Sequence, residues 1–356
     1  MIAHVVNILL TLLCLGFVVV IHEYGHLLMA KYFRVKIERF TVGFGREIVG
    51  FTAKDGIRYS ICSIPLGGMV KMAGEYVDER TNSPDEFFSK PWYQRIAIAL
   101  AGPFMNYVLA FVLFAVTAGI WGVMQPSSEA IVGDIVEGLP AALSKLEPGD
   151  KIVTINQTPI ANWDAMADYI HQRPDQSLAL NVERKDSKTN ASHQLQLSIK
   201  PQKDPATGMG LIGVVPKFNK IKPGFIGSLK SSAKDVEAWT MQPLRYIAMK
   251  ARHFEGPKEL SGPLGIAHMV TKATKEGISY VIYLIAIIST GLGLFNLFPI
   301  PVLDGGHIFL YMIEGIIRRP LSTRTLQLAN LMGLAVVGSI FIYASYQDIL
   351  RLHFWK

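Results

Sequence analysis

At 356 residues, 50% of them hydrophobic and with a positive mean hydropathy, the chain is too apolar for an ordinary soluble protein and too long for one core. A formal net charge of +7 in so apolar a chain points to membrane topology rather than to nucleic acid, which is not expected as a partner. The two cysteines, Cys14 and Cys62, lack a Cys-x-x-Cys partner and exclude a disulfide scaffold.

The first element is an apolar run. It has no basic leading segment and no small-residue cleavage site followed by polar sequence, so it reads as a span rather than a signal peptide. Over residues 5–30 the only formally charged side chain is Glu23, and roughly 20 apolar residues suffice to cross the hydrocarbon core. The run carries His22-Glu23-Tyr24-Gly25-His26. On a helix, residues four apart share a face, so both imidazoles can grip one cation. Glu23, one position round, can reach a water there without being a ligand. An acid at that depth costs roughly 2.5–3.5 kcal/mol on insertion scales, which makes it a functional residue by default.

Residues 35–72 are not helical in pattern. Gly43, Gly45, Gly50, Gly56, Gly67 and Gly68 punctuate short β-prone runs, which predicts a few strands folded back toward the membrane face near the histidines. A second span over 96–123 carries Ala101-Gly102-Pro103 and Asn106; its small residues permit close helix contact, and Asn106 is expected to hydrogen-bond between helices. From 127 to 217 the composition turns soluble: short strands, Gly138-Leu139-Pro140-Ala141-Ala142, Leu146-Glu147-Pro148-Gly149-Asp150, and a helix near 163–172. This run resembles a PDZ domain, a module that captures extended peptides by strand addition. Peptide capture in its groove and mere obstruction by bulk remain equal readings. Residues 218–279 mix apolar and basic positions and predict an amphipathic helical connector.

The third span, over 280–303, ends in Asn296-Leu297-Phe298-Pro299-Ile300-Pro301-Val302-Leu303-Asp304-Gly305-Gly306-His307. Two close prolines cannot continue a regular helix, and irregular backbone at that depth needs a protein or aqueous lining. Asp304 is the natural third ligand for a catalytic zinc, with His307 its rival. Asn296 can donate to a substrate carbonyl or repair the broken backbone. A fourth span covers 326–346. Lysines and arginines follow the first span, precede the second and lie between the third and fourth, at Arg318, Arg319 and Arg324. The positive-inside rule then places 31–95 and 304–325 in the cytoplasm and both termini outside, so the two half-sites meet at one depth.

Taken together, these motifs resemble the site-2 protease family of zinc intramembrane metalloproteases, most closely the bacterial regulator of sigma-E protease group. The resemblance rests on His22 to His26, on Arg39-Phe40 with Gly43-Phe44-Gly45, on Ala101-Gly102-Pro103 with Asn106, on Ser261-Gly262-Pro263-Leu264 and on Asn296 through His307. It implies a polytopic α-helical membrane protein with four transmembrane helices, a membrane-associated β element and one α+β PDZ-like extracytoplasmic domain. Its segments would be 1–34, 35–95, 96–123, 127–217 (the PDZ-like domain), 218–279, 280–310 and 326–347. It implies Zn2+ on His22, His26 and Asp304, Glu23 as general base, and Asn296, Pro299 and Pro301 beside the substrate. The implied setting is a bacterial cytoplasmic (inner) membrane, with regulated intramembrane proteolysis of transmembrane substrates such as anti-sigma factors and remnant signal peptides. The 124–279 region has room for one PDZ-like domain plus a helical segment where many proteobacterial relatives carry two, a departure that puts the size filtering attributed to the tandem arrangement in doubt. A zinc transporter would need ionisable residues along a path across the bilayer, and the outer halves of these spans carry almost none. A catalytically dead scaffold has no chemical reason to retain Glu23.

Overall fold

The computed structural model describes residues 2–75, 80–185, 191–204, 207–252 and 262–354. The chain divides into two compact units, Met1–Trp121 with Pro223–Lys356, and Gly122–Lys222. Ser261, one of the motif residues above, lies outside the described residues.

In the first unit the apolar run forms a single helix, α1 (Ile2–Tyr32), whose interior backbone groups are bonded within the helix as lipid requires. It stops where Arg34 takes a left-handed φ of 54°. Two long strands follow, β1 (Ile37–Thr52) and β2 (Arg58–Met72), rather than several short ones. Each bends midway and pairs twice: Phe40 lies opposite both Val70 and Tyr59, and Val42 opposite both Gly68 and Ile61. The bend in β1 uses Gly43 and Gly45 at φ 86° and 90°, a region closed to most side chains. One face, with Ile37, Phe40, Val70 and Met72, closes on Leu27 and Ala30 of α1. At and beyond the bend Phe44, Ile48, Val49 and Phe51 are exposed, an apolar surface suited to lipid. Helix α2 (Trp92–Trp121) then runs back along α1, with Ile98 beside His26 and Asn106 beside His22.

The second unit is β-rich. Its strands are β3 (Val123–Pro126), β4 (Val132–Ile135), β5 (Lys151–Ile155), β6 (Thr158–Pro159), β7 (Leu178–Lys185), β8 (Ser192–Ile199), β9 (Gln202–Lys203), β10 (Gly210–Leu211), β11 (Val214–Pro216) and β12 (Phe218–Ile221). Two helices interrupt them, α3 (Pro140–Leu143) and α4 (Trp163–His171), the latter capped by Asn162 Oδ1 accepting from the Ala165 N–H at 2.8 Å. The main sheet has the order β6-β5-β7-β8, and β4 pairs with β11 and β3 with β12. Ile152, Ile155, Leu178, Leu180 and Val182 alternate into a core closed by Met166 and Ile170 of α4. Below them the fully buried Asp150 carboxylate is met by Arg184 at 2.7 and 2.8 Å.

The chain returns to the first unit through α5 (Gly224–Arg252) and α6 (Pro263–Glu276), and then runs into α7 (Ile278–Asn296), α8 (Asp304–Ile317) and α9 (Thr323–Phe354). Without a hydrophobic drive between helices in lipid, hydroxyls fasten them. Ser232 of α5 donates to the Phe111 carbonyl at 2.6 Å and Ser289 of α7 to the Asn106 carbonyl at 2.8 Å. Asp348 of α9 accepts from the N–H groups of Gly262 and Gly265, capping α6 at 3.1 and 2.8 Å. Among the described residues four helices are long and apolar enough to cross a membrane: Leu9–Tyr32, Trp92–Trp121, Ile278–Asn296 and Thr323–Arg351. The third ends at Asn296, seven residues before Leu303, because neither Pro299 nor Pro301 can donate a helical N–H.

Candidate active site

Helix periodicity places His22 and His26 on one face of α1, and α2 presses against that face. Gly102 faces the two rings. A Cβ there would lie 2.5 Å from His26 Cε1 and 2.8 Å from His22 Cε1, so only glycine leaves room for both rings. On the far side, the chain leaves α7 through the irregular residues 297–303 and re-enters helix at Asp304. Gly305 and Gly306 tuck beneath that loop; a Cβ on either would strike the carbonyls of Leu297 and Phe298 or of Ile300. Val302, β-branched yet at φ 85°, is a strained residue two positions before Asp304.

The result is a convergence. His22 Nε2 and His26 Nε2 are 3.1 Å apart, and the Asp304 carboxylate oxygens lie 3.1 Å from the first and 3.5 Å from the second. These are the only three His, Cys, Asp or Glu side chains among the described residues whose ligand atoms gather this way, all within 4.8 Å. His26 Nδ1 donates to the Ile98 carbonyl at 2.8 Å, which fixes the tautomer and leaves the Nε2 lone pair facing the cluster. Asp304 Oδ2 is buried and accepts no hydrogen bond. Two ring nitrogens gathered around an orphaned carboxylate oxygen are what a cation would satisfy. Two imidazoles and one carboxylate, leaving a fourth position open, match the donor set of a catalytic zinc centre.

Glu23 borders the same cavity, of about 660 Å³, and its Oε2 accepts the Val70 N–H at 3.1 Å. Met69, Val70 and Met72 of β2 form one wall, and Asn296, at the last turn of α7, another. Pro299 is exposed and Pro301 packs against Gly333 of α9; neither lines the cavity. His307, the rival ligand, lies in the cavity wall stacked over Tyr311, outside the converging trio. Burial drives the Tyr311 phenol well above its ordinary range. Beside it Arg95 of α2 and Glu314 of α8 form a buried ion pair. Two contributions escape sequence reading: that the close helix contact expected at Gly102 falls on both imidazoles, and the polar lining from α9, Gln327 and Asn330. The four-residue spacing of Gly102 and Asn106 on α2 is the signal that could have marked the former.

A family model described as "Peptidase family M50" matches residues 10–340. The chain belongs to peptidase family M50. Over its whole length it is 31% identical to metalloprotease MmpA of Caulobacter vibrioides, the match covering 100% of this chain and 98% of the relative. It is 32% identical to a protein of Rickettsia conorii named as a candidate zinc metalloprotease, over 96% of this chain and 98% of that one. A PDZ domain solved from Listeria monocytogenes aligns with 26% of this chain and 93% of its own at 23% identity and a TM-score of 0.22. This M50 protein is therefore a zinc-dependent metalloprotease of the site-2 type, set in a membrane.

Proposed function

We propose that this M50 protease is an endopeptidase that cuts single-span membrane proteins within the bilayer, with His22, His26 and Asp304 holding the zinc and Glu23 as general base. The observation that carries the reading is the convergence of those three ligand atoms in the cavity that Glu23 borders. Zinc bound there supplies a Lewis acid that brings water toward a pKa of about 7 and polarises a carbonyl. Glu23 takes the proton of the attacking water and returns it to the leaving amine. Asn296 donates to the scissile carbonyl as negative charge develops on it. Pro299 and Pro301 act at one remove, by breaking the helix so that Asn296 and Asp304 face the cavity.

A transmembrane substrate must unwind first, because a helix keeps its carbonyls in its own hydrogen bonds. The Met69–Met72 stretch of β2 borders the cavity and pairs with β1 on its other side, so it offers an edge for an extended substrate. Topology follows the charge pattern: active site near the cytoplasmic side of a bacterial inner membrane, termini and the PDZ-like unit outside. The substrates are anti-sigma factors and remnant signal peptides already shortened by an earlier cut, in regulated intramembrane proteolysis and stress signalling. The PDZ-like unit screens them, by holding an exposed peptide or by bulk. The test is cleavage of a single-span model substrate in proteoliposomes by wild type and Glu23→Gln, with zinc counted in both. Glu23→Gln should lose at least ~100-fold in rate while retaining its zinc; a fully active variant refutes the assignment.

A further inference from the structure

Asn106 is fully buried in the middle of α2, and its side chain touches His22: Nδ2 lies 3.2 Å from His22 Nδ1. Its Oδ1 is buried with no hydrogen-bond partner. With the amide turned this way Nδ2–H donates to Nδ1, the ring proton of a neutral His22 must sit on Nε2, and Nε2 cannot be a ligand. A half-turn of the amide reverses all three. Oδ1 then accepts Nδ1–H, the orphaned acceptor is satisfied, and the Nε2 lone pair joins those of His26 Nε2 and Asp304. His26 already has this arrangement, its Nδ1–H held by the Ile98 carbonyl about two turns away on the same stripe of α2. The backbone carbonyl of Asn106 is independently engaged by Ser289, so the side chain is free to serve His22 alone.

We propose that Asn106 is a positioning residue for the zinc site: its side-chain oxygen accepts the His22 Nδ1 proton, fixes the Nε2-ligating tautomer and aims the ring. The inference rests on the assignment of His22, His26 and Asp304 as the ligands. Outer hydrogen-bond partners of ligating histidines typically contribute 10–100-fold to metal affinity. The role demands an acceptor, so aspartate should replace asparagine and an isosteric hydrocarbon should not.

The experiment is a Zn2+ titration of the full-length protein in detergent, in competition with a chromophoric chelator, for wild type, Asn106→Asp, Asn106→Leu, Ser289→Ala and His22→Ala. Thermal unfolding of each variant reports folding separately. Asn106→Leu should bind zinc about 10–100-fold more weakly, Asn106→Asp should hold it near wild-type affinity, and Ser289→Ala should be unchanged. A folded Asn106→Leu with wild-type affinity overturns the proposal. So does a folded Asn106→Asp that has lost zinc, since that variant keeps the acceptor and deletes only the donor; it decides the matter alone if the leucine variant fails to fold. Should His22→Ala bind zinc as wild type does, the ligand assignment fails, and this inference with it.

Discussion

Gly102→Ala adds one methyl group to α2 at the point where it faces both imidazoles. The new Cβ would stand 2.5 Å from His26 Cε1 and 2.8 Å from His22 Cε1, and closer still to His26 Nε2. Carbon atoms rest at about 3.5–4.0 Å, so the rings or the helices must give way by roughly 0.7–1 Å. Zinc–nitrogen bonds of about 2.0–2.1 Å tolerate errors of only about 0.2 Å. A displacement several times that tolerance should weaken zinc binding on the order of 100-fold, about 2.7 kcal/mol. Overpacking costs about 1–3 kcal/mol and the gain in helix propensity offsets up to about 1 kcal/mol of it, so the fold should lose little stability while zinc binding falls about 100-fold, which separates a site effect from general damage. The assay is metal content after gel filtration, alongside cleavage of a single-span substrate. Gly119→Ala on the same helix is the control, since its Cβ would meet only Ser228 Oγ at 3.5 Å, an ordinary contact. Wild-type zinc content and activity in Gly102→Ala would refute the close-approach argument.

Three further outcomes are expected. Arg95 and Glu314 have side chains only 7% and 4% exposed, so Arg95→Met or Glu314→Leu alone strands a buried charge and should cost about 3–5 kcal/mol. The double variant should recover much of that loss, and additive losses in thermal melts of the detergent-solubilised protein would disprove the coupling. Arg184→Met should destabilise the Gly122–Lys222 unit by a similar ~3–5 kcal/mol, because it removes the only cation that pairs, among the described residues, with the buried Asp150, whose Oδ2 also accepts the Glu147 N–H at 2.9 Å. Limited proteolysis of the full chain against denaturant reads this out, and unchanged protection would contradict it. Finally, a zinc chelator should abolish cleavage and stoichiometric zinc should restore it; activity surviving complete removal of the metal would exclude zinc chemistry.

Much of the site is legible in the sequence because its signals are local. Two histidines four apart with an acid between them need only helix periodicity, and Asp304 stands out as a charge after a proline-broken apolar run. Contacts made across the chain are not legible that way. Asn106 and His22 are 84 residues apart, and Arg95 and Glu314 are 219 apart. Arg95 reads in sequence as a flanking positive charge that orients the second span; in the fold it is buried and paired, so its charge is partly spent inside the protein. The β element is another case. Glycine spacing signals short strands, whereas the bends at Gly43 and Gly45 fold two long strands into a sheet in which each pairs twice. The end of α7 at Asn296 follows from proline chemistry, but the strain at Val302 follows only from how residues 297–303 are forced over Gly305 and Gly306.

Ile98, Gly102 and Asn106 recur every four residues, so they form one stripe along α2, and each meets α1 at or beside His22 or His26. The carbonyl of Ile98 holds one imidazole, the missing side chain of Gly102 admits both, and the amide of Asn106 holds the other. In lipid two apolar helices gain little by associating, so close packing at small residues and interhelical hydrogen bonds must hold them. Here those contacts fall on the side chains of His22 and His26 themselves. The packing of α1 against α2 and the orientation of the two imidazoles are thus one set of interactions. A substitution along this stripe should therefore disturb metal binding before it disturbs the fold, while the same change on the lipid-facing side of α2 should disturb neither.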